Sequence, residues 1–218
     1  MRSLRSTQSL VIFAGYLLGA FALYWGLPEQ VPPSWAGSGG GTVWLGAPMV
    51  VFLLPTAVLI TDLLLRSLCI KHPIDEPGST DVLASYDAIM LRFSIFVMGV
   101  HGAVLLAIFG LLSGREWAAR IVPLMLGVTM ISIGNLLPRT RPNLAIGIRT
   151  HRTLSDRQLW IRTHRSVGYI VVACGAATVL SAMAVPKPAG PGMILVVGPA
   201  ALVGAWLLLR SSGKNGRA

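Results

Sequence analysis

Runs of about 20 residues that are almost free of charge recur along this chain, at residues 10–27, 43–65, 93–112, 118–137, 167–185 and 193–209. A helix of that length crosses roughly 30 Å of hydrocarbon. Inside lipid only structures that satisfy their own backbone hydrogen bonds are allowed. The expected fold is therefore all-α, a polytopic membrane helix bundle of about six transmembrane helices. Composition agrees: 54% of the residues are hydrophobic and only 12% are charged, usage that excludes an ordinary water-soluble domain.

The formal net charge of +10 would point to nucleic acid in a soluble protein. Here the positions of the charges decide, because basic residues beside apolar spans act as topology signals and bind anionic lipid heads. On the six-span map, residues 2, 5, 66, 71 and 92, seven arginines between 139 and 165, and residues 210, 214 and 217 fall on one side. Only Arg115, Arg120 and Lys187 fall on the other. That asymmetry places the N- and C-termini in the cytoplasm of a cell whose plasma membrane holds the chain. The lipid bilayer is the first expected partner, and no direct nucleic-acid contact is expected.

Taken in order, the chain divides into a two-span hairpin at 1–66, a loop with spans three and four at 67–134, a basic segment at 135–168, and spans five and six with a basic tail at 169–218. A cleaved leader ending at Ala20-Phe21-Ala22 is the rival to the first span, but the apolar run continues past it. Gly15 and Gly19 form a GxxxG pair that permits close helix approach. Residues 28–42 carry no lysine or arginine and are rich in Pro and Gly, as suits an extracytoplasmic loop, with Trp25, Trp35 and Trp44 framing it at the interface. Pro48 or Pro55 is expected to kink the second span.

Asp62 and Arg66, four residues apart, are expected to form an ion pair with both heads reaching to the cytoplasmic interface; a titrating carboxylate is the sharper alternative. Residues 66–92 form a mixed-charge loop with a helical lead-in from about Asp81. His101, near the middle of the third span, suits either an interhelical hydrogen bond or a proton relay. Cys69 and Cys174 give no disulfide or metal spacing. No metal and no cofactor are implied, and no P-loop, HExxH, GxSxG or paired CxxC occurs.

The basic segment, NLLPRTRPNLAIGIRTHRTLSDRQLWIRTHRSVG, carries Arg139, Arg141, Arg149, Arg152, Arg157, Arg162 and Arg165. Pro138 and Pro142 end the fourth helix and Gly147 allows a turn, so residues 138–150 should be irregular and lined by arginine. A helix should then start at Ser155. Its hydroxyl would cap, Gln158 would complete a capping box, Leu154 and Leu159 would staple, and Asp156 would suit the positive helix end. Trp160 would sit at headgroup depth. His151 and Asp156 are spaced as in the HxxxxD motif of membrane glycerolipid acyltransferases, but two residues make a weak motif and Asp156 already has a capping explanation.

Asn135, Leu137-Pro138-Arg139, Arg141-Pro142-Asn143, Ile146-Gly147-Ile148-Arg149-Thr150, Thr153-Leu154-Ser155, Trp160, Thr163-His164-Arg165 and Gly168 together resemble the signature of the SdpI family of bacterial membrane proteins. Leu27-Pro28, Val31-Pro32 and Trp35 are similar to an extracytoplasmic pattern that often precedes it. His151-Arg152 stands where the family commonly has Pro-Trp, and Ser34 where it commonly has a histidine.

The resemblance implies a non-enzymatic immunity and signalling role. The family's named member protects its cell against a secreted antimicrobial peptide toxin and holds a cytoplasmic transcriptional repressor at the membrane. It also implies Asn143, Arg149, Thr153, Trp160, His164 and Arg165 as the family-defining positions. A small proton-coupled transporter using Asp62 and His101, and more remotely a lipid acyltransferase, are the alternatives.

Overall fold

A computed structural model describes residues 2–27, 30–31, 45–71, 80–112 and 116–184. The sixth apolar run at 193–209, together with Ser34, Trp35 and Trp44, lies outside the described residues. The described elements are α1 (Arg2–Trp25), a minimal antiparallel pairing of β1 (Gln30–Val31) with β2 (Leu45–Gly46), α2 (Ala47–Lys71), α3 (Thr80–Ile108), α4 (Glu116–Gly134), a 3₁₀ turn (Leu137–Arg139), α5 (His151–Ser155) and α6 (Arg157–Ala184). Among the described residues, five helices are long and apolar enough to cross a membrane. The architecture is an all-α polytopic bundle.

Two helices start well before their apolar runs do. Residues 80–92 and 157–166 contain no Pro or Gly to stop a helix, so their polar lead-ins continue into the spans as single elements. Conversely α4 ends at Gly134, and the chain tightens into the 3₁₀ turn that carries Pro138.

The helices are sorted by side-chain size in the way lipid demands. On α1 a stripe of Gln8, Ile12, Gly15, Gly19 and Ala22 is buried, while Leu10, Phe13, Leu17 and Phe21 point outward. Small groups face neighbouring helices and bulky apolar groups face the acyl chains, because without a water-driven force helix association depends on close packing. A Cβ on Gly19 would lie 2.9 Å from the Val51 carbonyl oxygen, so the GxxxG pair does bring α1 against α2. Tyr16 and Thr56 bond across the same interface at 2.9 Å, and α3 completes this half through Ile12, Val58 and Met98.

The other half is the antiparallel pair of α4 and α6. Gly127 meets Gly175 and Gly134 meets Gly168. A Cβ at Gly127, Gly168 or Gly175 would fall 2.7 Å from the opposing glycine's carbonyl oxygen. Two glycines seven residues apart on each helix therefore set a backbone-to-backbone contact that no larger side chain permits. Arg92 joins the halves, donating from Nε to Ser132 Oγ at 2.6 Å and from Nη1 to the Ala88 carbonyl at 2.7 Å.

Candidate functional site

Between α4 and α6 the chain does not cross open solvent but folds back onto the bundle end. Asn143 organises the first bend: its Oδ1 accepts from the backbone N–H groups of Ala145 (2.9 Å) and Ile146 (2.8 Å), and its Nδ2 donates to the Arg141 carbonyl (2.7 Å). This turn inserts Ala145 and Ile146 among Cys69, Val82, Tyr86 and Met90, so the connector is anchored in the α2–α3 interface.

The second anchor is on α6. Trp160 is fully buried, and its indole Nε1–H donates to the Thr140 carbonyl at 3.0 Å and lies 3.2 Å from Thr140 Oγ1. The His164 ring stacks on the indole with centroids 3.9 Å apart. Its Nε2 accepts from the Ile148 N–H at 3.1 Å while Nδ1 faces the Trp160 carbonyl at 2.9 Å, an arrangement that requires the neutral Nδ1–H tautomer. Gly147, at φ +111°, passes directly over the His164 Nε2 edge, where any Cβ would collide with the ring. Thr153 closes the segment: its hydroxyl donates to the Ile148 carbonyl at 2.8 Å and pairs with Thr150, whose side chain caps α5 in a reciprocal capping box.

The expected helix start is corrected at this point. Ser155 ends α5 and its hydroxyl bonds back to the His151 and Arg152 carbonyls. Asp156 is the cap of α6, its Oδ1 accepting from the N–H groups of Gln158 (2.8 Å) and Leu159 (3.1 Å). A carboxylate one residue further on is the better acceptor and suits the helix dipole, so the boundary moves by one position. Asp156 is thus engaged by backbone, and among the described residues no ion pair joins it to His151, which is exposed. Trp160, expected at headgroup depth, is fully buried within the fold.

Of the six singled-out positions, Asn143, Thr153, Trp160 and His164 are buried and turned inward. Arg149 and Arg165 are exposed, and Arg149 Nη1 bonds the Leu144 carbonyl. Arg139, Arg152, Arg157 and Arg162 are exposed as well, and Asp156 is the lone acidic residue from 135 to 168. The buried four hold a shape; the arginines form its outer surface.

Asp62 and His101 occupy separate places. Asp62 accepts from the Tyr86 hydroxyl at 2.9 Å and faces Arg66 at 3.7 Å, but Arg66 is bonded across the helices to Asp87, with its guanidinium 5.0 Å from the Tyr86 ring centre. The expected pair exists, yet it does not reach outward: Arg66 is 8% and Asp87 5% exposed. Pairing three charges within the α2–α3 interface replaces solvation at the surface. The Asp87 partnership, 21 residues from Arg66, has no local sequence signal.

His101 is fully buried on α3 and lies against the Gly15 backbone of α1, the interhelical placement expected of it. It stands 15 positions beyond Tyr86 on the same helix, about 22 Å away at 1.5 Å per residue. Among the described residues no direct relay links the two sites. Among the described residues no group of three or more metal-ligating side chains gathers.

Fold and connector define a multi-pass membrane protein in which an arginine-coated segment covers one end of a helix bundle. Residues 139–211 match the model of the SdpI/YfhL protein family. The chain is similar to the immunity protein SdpI of Bacillus subtilis (strain 168), at 28% identity over 167 residues, 77% of this chain and 76% of that protein. Both likenesses are to multi-pass proteins of the bacterial plasma membrane, the compartment that the apolar helices of this chain suit. No solved structure matches it significantly.

Proposed function

We propose that this protein is an SdpI-like immunity protein that protects a bacterial cell from a secreted antimicrobial peptide toxin, and that its arginine-coated connector faces the cytoplasm and holds the acidic surface of a transcriptional repressor. The observation that carries the reading is the division of labour within the connector. Asn143, Thr153, Trp160 and His164 have their polar groups engaged by its own backbone, which leaves Arg149 and Arg165, with their exposed neighbours, to meet a partner. A fixed array of one sign attracts and orients an oppositely charged protein surface at long range. Similarity to a protein whose name states immunity supports the first half of the reading.

The test is survival of a sensitive bacterium expressing the chain and challenged with a peptide toxin. Arg149→Ala with Arg165→Ala should abolish repressor retention in the membrane fraction at unchanged membrane abundance of the protein. His164→Ala should lower both retention and protection by releasing the connector. Wild-type expression that gives no survival advantage overturns the immunity reading; full repressor retention by the double arginine variant overturns the assignment of the surface.

A further inference from the structure

Among the buried side chains of the connector and the start of α6, only His164 titrates near neutral pH. Both of its ring nitrogens are committed: Nδ1–H donates to the Trp160 carbonyl at 2.9 Å, and Nε2 accepts from the Ile148 N–H at 3.1 Å. A neutral imidazole can do both at once. An imidazolium cannot, because its two nitrogens are both donors, and a second proton would set N–H against N–H at Nε2. That edge has no room to adjust: Gly147 passes directly over it, and the ring face is stacked on the Trp160 indole with centroids 3.9 Å apart.

The surroundings would not hold the added charge. The start of α6 carries Arg157, Arg162 and Arg165, and α5 carries His151 and Arg152. The turn after α4 adds Arg139 and Arg141, and the connector itself adds Arg149. Asp156 already accepts from the N–H groups of Gln158 and Leu159, and Asp87, in the α2–α3 interface, is bonded to Arg66. Among the described residues no carboxylate pairs with His164. A cation buried among cations without a counter-ion is strongly disfavoured, so a proton on this ring must be met by movement.

The movement is confined by what else holds the connector. Residues 143–146 are fixed by the Asn143 turn and by the seat of Ala145 and Ile146 in the α2–α3 interface, and neither involves the ring. Beyond them Gly147, at φ +111°, has the backbone freedom of a hinge. Ile148 then carries α5 with it, since its carbonyl accepts from the Thr153 hydroxyl at 2.8 Å. Arg149 and Arg152 ride on the same stretch.

The geometry points to a proton-operated latch, in which protonation of His164 Nε2 frees residues 147–155 from α6 while the helix bundle stays assembled. The sign follows from the state of the ring. Docking requires the neutral form, so it is fully present above the ordinary imidazole pKa of about 6.5 and weakens as pH falls below it, the open fraction rising about tenfold per pH unit. The latch concerns docking alone and does not depend on what the arginine surface meets.

The experiment is hydrogen–deuterium exchange of the full chain in detergent at about pH 7.5, 6.5 and 5.5, with labelling times scaled for the intrinsic pH dependence of exchange. Protection of residues 147–153 should fall about tenfold between about pH 6.5 and 5.5, while the α6 amides at 168–175 keep theirs. His151→Gln, which removes an exposed imidazole, should leave this dependence intact, and His164→Gln should abolish it. Ring-nitrogen NMR of the wild-type chain needs no substitution at the latch. The imidazole in contact with the Trp160 indole should be the neutral Nδ1–H form at about pH 7.5 and should gain its second proton over the range in which protection is lost.

Protection of 147–153 that is constant with pH overturns the latch. So does a loss shared equally by 168–175, which is general acid unfolding. The same pH dependence in His164→Gln, or a Trp160-stacked ring that becomes imidazolium while 147–153 stays protected, overturns it as well.

Discussion

Gly147→Ala isolates the geometry that holds the connector. Its φ of +111° lies where an L-residue is strained, at about 1–3 kcal/mol. The added methyl would also be directed into His164 Nε2. The ring has no free direction of retreat, being stacked on Trp160 at 3.9 Å and tied to the Trp160 carbonyl at 2.9 Å. Relief of the clash must separate the Ile148 N–H from Nε2, and a stranded buried donor costs about 1–3 kcal/mol. The expected destabilisation is therefore about 2–6 kcal/mol.

Reversible unfolding of the chain in mixed micelles gives the number, and a cycle with His164→Ala divides it. Without the imidazole the steric part vanishes, so Gly147→Ala in that background should cost only the backbone strain, and the coupling should be about 1–3 kcal/mol. Strict additivity, or a single-variant effect below about 0.5 kcal/mol, would refute the reasoning.

Three further outcomes are expected. Asp156→Ala should destabilise by about 1 kcal/mol through loss of the α6 cap, whereas Ser155→Ala should stay within about 0.5 kcal/mol; unfolding titrations of the two variants distinguish the caps. Arg66→Met should cost about 3–5 kcal/mol because it strands Asp87 and Asp62 inside the α2–α3 interface, and adding Asp87→Leu should recover part of the loss in the same assay. Gly168→Val should force α4 and α6 apart at the Gly134 carbonyl, read as lowered thermal stability with increased exchange of α6 backbone amides.

The spans were legible because an apolar run of fixed length has few other physical meanings, and the irregular course of 138–150 followed from two prolines and a glycine. The start of α6 was misplaced because Ser155 and Asp156 both offer an acceptor, and only the course of the preceding backbone shows that Ser155 ends a separate short helix capped by Thr150.

That short helix escaped notice since its box closes with Thr153 instead of the acidic or amide side chain usual there. The seven-residue spacing of Gly127 with Gly134 and of Gly168 with Gly175 is written in the sequence and could have been found by comparing the two helices for matching small positions. Arg66 with Asp87, and Arg92 with Ser132, are products of tertiary packing across a long separation, which periodicity does not encode. The arginine signature is visible as residues, but the separation of braced interior from charged exterior is set by tertiary packing of the connector.

The connector is stapled at both flanks, through Ala145 and Ile146 to one helical half and through Trp160 and His164 to the other. It behaves as a keystone: a tilt or rotation of either half loads the same dozen residues.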